Sequence, residues 1–179
     1  ETPWGPTKRF GTSGTGVYEW DPMTFDINFQ FPIGPNPHGD CFDQWGNQFV
    51  TDGTGGTGDY VIMPGHGSPQ KLYEKRVRPV PAITILDSQH FPEANRGNLL
   101  IANVIGFQGV TQYKFERPLK KVSGTLEDTE SSRHLFQGEG AGFHAAEIEP
   151  IVYSSDANFR PSDMEIGGDG ALYILDWQN

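Results

Sequence analysis

One cysteine, Cys41, is all the thiol this sequence holds, so no disulfide can form within the chain. It sits in CFDQW and reads as a small apolar residue on a strand. No apolar run approaches the roughly 20 residues a membrane-crossing helix needs, so no transmembrane segment is expected. Basic side chains are scarce: 13 Lys and Arg face 23 Asp and Glu, for a net charge of −10. That balance repels phosphate backbones and argues against nucleic acid as a partner, while cations and neutral polyols are readily accepted. Long helices are excluded too, because 23 glycines and 14 prolines punctuate the chain. Inside a helix these cost about 1 and about 3 kcal/mol each.

The apolar residues present lean toward Phe, Val, Ile, Tyr and Trp, which suit a pleated, half-buried surface. The fold expected is all-β. Internal repetition sharpens this. Residues 37–53, PHGDCFDQWGNQFVTDG, lie over 161–177, PSDMEIGGDGALYILDW, without a gap at an offset of 124. Pro37 meets Pro161, Gly46 meets Gly170 and Asp52 meets Asp176. A weaker copy, GNLLIAN at 97–103, places Asn103 where the aspartate stands. Each copy reads as strand, tight glycine turn, strand, then a small polar residue. GTGVYEWDP at 14–22 and GVTQYKFE at 109–116 read as outer strands with alternating aromatics. Four-stranded units on this scale predict a β-propeller, with about three blades in residues 1–179 as part of a single domain. The polar stretch 120–134 is expected to be a surface loop. The start ETPWGPTKRF and the end LYILDWQN suggest an internal piece of a longer protein.

The glycine-rich segment 53–58, GTGGTG, satisfies GxGxxG, but DYVIMPGHGSP follows it and cannot supply the helix a dinucleotide needs. Asp52, the Thr54 hydroxyl and Asp59 offer hard oxygens in a flexible loop. That set suits calcium, or else caps a solvated turn.

Three stretches, PNPHGDCFDQWGNQFVTDGTGG, RGNLLIANVIGFQGVTQYKFE and NFRPSDMEIGGDGALYILDW, together carry a resemblance covering most of the chain. They resemble the propeller of the membrane-bound dehydrogenase family abundant in planctomycetes. That family is in turn similar to soluble glucose and sorbosone dehydrogenases that use pyrroloquinoline quinone (PQQ). The resemblance implies a six-bladed propeller with PQQ over one face of the channel and calcium supporting it. It also implies oxidation of a sugar or polyol, electrons passed to a c-type cytochrome domain, and export to the periplasm or cell envelope. An Arg-Asn-Pro-Gln-Gly stretch touches the quinone in those enzymes. Here Pro35-Asn36-Pro37-His38-Gly39 corresponds, keeping Asn36 and Gly39 as cofactor contacts.

His38, at the start of an inner strand, is the expected general base, since a neutral imidazole takes a proton near pH 7. It could equally be a loop histidine bonded to a neighbouring blade. His66 and His144 are rivals, and His90 and His134 fall in expected surface loops. Arg160 could pair with a carboxylate on the ligand or with Asp163. Trp177 could stack on a sugar ring or pack between blades. Asp52, Asn103 and Asp176 end equivalent strands and are expected to ring one face. Two alternatives stay open: a non-catalytic propeller that binds carbohydrate or protein, and a metal-dependent lactonase-type hydrolase.

Overall fold

The structure, a computed structural model, describes residues 15–61, 69–73, 79–116 and 143–177. The stretch 120–134, His66 and His134 lie outside the described residues. The architecture is all-β, built from small antiparallel sheets, and among the described residues a single 3₁₀ turn, Glu93–Asn95, interrupts it. Among the described residues no helix is long and apolar enough to cross a membrane.

Among the described residues four sheets follow one another along the chain. Sheet I pairs β1 (Gly16–Trp20) with β2 (Ile27–Pro32). Sheet II is a four-stranded meander of β3 (Pro37–Phe42), β4 (Gln48–Asp52), β5 (Thr57–Val61) and β6 (Gln70–Lys71). Sheet III repeats it with β7 (Ile83–Ile85), β8 (Leu99–Asn103), β9 (Gly109–Glu116) and β10 (His144–Tyr153). Sheet IV pairs β11 (Pro161–Ile166) with β12 (Leu172–Asp176).

The repeat read from the sequence is a repeat in space. Pro37 pairs with Asp52 and Pro161 with Asp176, and each ladder slips just after that pair. Both hairpins close alike: Asp43 N–H donates to Asn47 O at 3.0 Å, and Gly167 N–H to Ala171 O at 2.9 Å. Gly46, Gly97 and Gly170 take φ of 82°, 76° and 80° at the same turn position. That left-handed region is why glycine stands at all three turns. Sheet III keeps the closure, Leu86 N–H to Asn98 O at 2.9 Å, and inserts the 3₁₀ turn within it.

Alternation along the strands sends successive side chains to opposite faces, and each face meets a different neighbour. Val50 packs with Phe31, Ile33 and Val17 between sheets I and II. Phe49 joins Tyr73, Ile83, Leu99, Ile101 and Tyr113 between sheets II and III. Leu100, Ala102 and Val110 meet Met164, Ile174 and Leu172 between sheets III and IV. Burying each large side chain in these layers stabilises the fold by about 2 kcal/mol. The sheets therefore stack in chain order, with the first strands β3, β7 and β11 as neighbours.

Candidate functional site

Each hairpin opens at one end, and hydrogen bonds between sheets show that the ends coincide. Val80 N–H, beside β7, donates to Gly53 O just past β4 at 3.4 Å. At the other end, the Ser88 hydroxyl beyond β7 donates to Gly170 O in the β11–β12 turn at 2.6 Å. Hence β3, β7 and β11 run the same way, and the three hairpins open onto one face.

At the sheet II opening, the Asp52 carboxylate is 1% exposed. One oxygen accepts Asn36 N–H at 3.1 Å, and the other accepts Gly55 N–H. Gly53 N–H returns a bond to Asn36 O at 2.9 Å. Asp52 thus clasps the chain on both sides of its strand and satisfies buried amides. Any β-carbon at Gly34 would collide with that carboxylate, so the close approach of chain there needs glycine. Thr54 Oγ1 accepts from Asn36 Nδ2 at 2.8 Å. Asp59 lies one strand away, opposite Val50 and Lys71. Burial holds its carboxyl above the ordinary value, with the Asp52 charge adding and Lys71 opposing. Asp52, Thr54 and Asp59 are therefore near one another, with Asp52 and Thr54 occupied by the chain's own donors. Among the described residues, no three His, Cys, Asp or Glu side chains gather as a metal site.

His38 is exposed on this face, its imidazole lying against Gly53, where a β-carbon would collide with it. Gly39 sits deeper and faces Ile83 of the neighbouring sheet. His144 stands elsewhere, starting β10 with Nδ1 3.9 Å from Glu116. His90 lies over the Gly170 turn at the opposite end.

The sheet IV opening repeats the clasp with different surroundings. Arg160 N–H donates to Asp176 Oδ1 at 2.8 Å, and Trp177 N–H donates to Arg160 O at 2.9 Å. Asp163 Oδ1 accepts its neighbour Met164 N–H. The Arg160 Nε is buried with no hydrogen-bond partner among the described residues. Asn103, in the corresponding place of sheet III, forms no clasp: its Nδ2 donates to Ile101 O at 2.9 Å and Thr111 Oγ1 at 3.0 Å. The clasp amides belong to the residues before Pro37 and Pro161, whereas before Pro81 the Val80 N–H donates to Gly53 O at 3.4 Å.

Beside Asp176 the face opens into a cleft of about 370 Å³ lined by Val152, Tyr153, Ser154, Asp156, Asn158, Phe159 and Asp176. Ser154 N–H, bonded to Gln108 O at 2.9 Å, ties its wall to the β8–β9 connection. Asp156 Oδ1 accepts Asn158 N–H at 2.8 Å and shapes the rim as an Asx turn. Tyr153, Asp156, Asn158 and Phe159 were not singled out from the sequence. The signal available was SSDANF, a turn-forming run directly before the Arg160-Pro161 clasp.

The structure brings Asn36, His38, Asp52 and Thr54 together in one sheet and Arg160, Asp176 and Trp177 together in another. The cleft belongs to the second group. No protein-family model and no curated protein matches the chain.

Proposed function

We propose that this chain forms part of a β-propeller and that the face where its hairpins open binds a sugar or polyol. What supports the propeller is the stacking of successive antiparallel meanders with their first strands adjacent and codirectional. The observation that carries the ligand is the cleft beside Asp176. Its volume falls at the small end of ligand pockets. Its walls combine carboxylate, amide and hydroxyl groups with Tyr153 and Phe159. Such a lining offers hydrogen bonds to ring hydroxyls and apolar faces to ring C–H groups.

Titration of intrinsic tryptophan fluorescence with aldoses and polyols tests this reading. Saturable binding is expected, weakened at least about 10-fold by Asp176→Asn, which costs one charged hydrogen bond. No saturable signal with any sugar or polyol would overturn it.

Oxidation of that ligand in the quinoprotein manner is a second reading, favoured by the exposed His38 on the same face. An imidazole there can take the hydroxyl proton of an alcohol under oxidation. The implied groups are PQQ, which would supply a two-electron acceptor if bound, and calcium. The described residues do not fit either implied group. The Asp52 oxygens are held by backbone amides. Arg160 is a single cation at the sheet IV opening, too few for a tricarboxylate. Export and transfer to a c-type cytochrome go with this second reading. Dye reduction after incubation with PQQ and calcium tests it: turnover abolished by His38→Ala is the supporting result, and absence of turnover sinks it.

A further inference from the structure

The layer between sheets II and III holds two tyrosines among its apolar side chains. Tyr73 follows β6, where Leu72 N–H extends the ladder to Gly58 O at 2.8 Å. Tyr113 comes from β9, opposite Leu99. Their rings stack across the layer, with centroids 5.4 Å apart and planes at 22°. Tyr73 is 3% exposed and Tyr113 is 1% exposed. A β-carbon at Gly58 would strike the Tyr73 ring, so glycine gives that ring its place.

Neither hydroxyl has a hydrogen-bond partner among the described residues. Burial, and then the adjacent Tyr113 hydroxyl, hold Tyr73 above the ordinary phenol value. Burial followed by the Glu147 charge pushes Tyr113 up to about 12. Both groups therefore keep their donor hydrogen at neutral pH. The Thr111 hydroxyl stands close enough to ease the Tyr113 rise, but outside hydrogen-bonding geometry. The two hydroxyls lie at one level of the layer. Tyr73 Oη sits over Gly58, which pairs with Thr51 and through it with Gly39. Gly39 faces Ile83, which pairs with Ile101 and through it with Thr111, beside Tyr113 Oη.

We propose that this level of the layer is a binding site for one buried water, which bridges Tyr73 Oη and Tyr113 Oη and ties sheet II to sheet III. Each phenol donates to the water oxygen. Thr111 Oγ1 donates to Ile101 O at 3.1 Å and accepts from Asn103 Nδ2 at 3.0 Å, which leaves it one lone pair for a hydrogen of the water. Three partners is the usual number for a buried water. Two buried hydroxyls left unmet would each carry a desolvation penalty, and that exceeds the entropy of holding a single water. The bridge gives the tyrosines a role that phenylalanine, stacking equally well, could not fill. It belongs to the join between sheets II and III, apart from the cleft beside Asp176, and stands whether or not that cleft binds a sugar.

Urea denaturation of the phenylalanine variants tests the bridge, because removing an unmet hydroxyl and removing a bonded one have opposite signs. Tyr73→Phe and Tyr113→Phe should each raise the unfolding equilibrium constant about 5-fold, the worth of one net hydrogen bond. Combined, they should fall well short of the roughly 25-fold product, since both hydroxyls belong to one bridge. A crystal structure of the unaltered chain should show one water within about 3 Å of both hydroxyls. A phenylalanine variant as stable as the parent or more so, a double variant whose loss equals the product, or a crystal structure with no water there or with a protein group bonded to either hydroxyl would overturn the proposal.

Discussion

The hairpins β3–β4 and β11–β12 share a register, a turn and an aspartate clasp, yet they occupy opposite environments. Asp52 is enclosed by its own loop, with both carboxylate oxygens held by amides. Asp176 holds one amide through Oδ1 and stands exposed on the wall of a cleft. Phe49 is buried against Phe115 and Phe143, while its counterpart Tyr173 reaches solvent and donates its hydroxyl to Asp169 at 2.8 Å. The difference teaches that the clasp is a device for holding hairpin ends together. Of the two clasp carboxylates, that of Asp176 is the one left exposed beside a cleft.

The largest break in this comparison comes from the core. Phe49→Ala should cost about 4 kcal/mol, as large-to-small core changes do. Tyr173→Ala, in the isolated chain, should cost under about 1 kcal/mol. Urea denaturation of both variants measures the gap, and equal losses would mean that sheet IV is covered as sheet II is. Next in size is the clasp itself. Asp52→Ala leaves two amides without acceptors and should destabilise by about 3 kcal/mol, while Asp176→Ala exposes its amide to water and should cost under about 1 kcal/mol.

A smaller contrast lies in the glycines. Gly34→Ala drives a β-carbon into the Asp52 carboxylate and should cost about 2 kcal/mol by overpacking. Gly168→Ala meets open space within 4 Å and should change the melting temperature little. The smallest contrast is in pH dependence, and its sign differs between the two regions. Burial raises the Asp59 carboxyl, so its contribution to stability is full below the ordinary carboxylate range and falls as pH rises through the raised value. Asp59→Asn should therefore stabilise at neutral pH and lose that advantage in acid. Asp169 is lowered, first by Ala171 N–H and then by the Tyr173 hydroxyl. Its contribution is present above the ordinary range and lost as pH falls through the lowered value, so Asp169→Asn should flatten the acid limb. Thermal melts across pH, compared between the two variants, would show whether the slopes oppose.

Much of the local structure was legible in the residues. The glycines at 46, 97 and 170 announced their turns because no other residue takes that φ without strain. The ungapped match of 37–53 with 161–177 announced the shared register. The chemistry was less legible. Asp52 offered the oxygens of a calcium ligand, but its oxygens are spent on amides of residues 36 and 55, a contact fixed by how the loop folds back. Asn103 stood in the aspartate's place, but its side chain is spent on Ile101 O and Thr111 Oγ1. The cleft residues Tyr153, Asp156, Asn158 and Phe159 form no spaced motif, since a turn and a strand end bring them together.

The sequence by itself determined the all-β class, the hairpin turns and the strand register, because backbone conformation and period-two alternation are set by neighbours along the chain. Only the tertiary structure decided which face of each strand is covered and which clasp aspartate meets solvent. Burial depends on the sheet stacked alongside, and that sheet is built from residues far away in sequence.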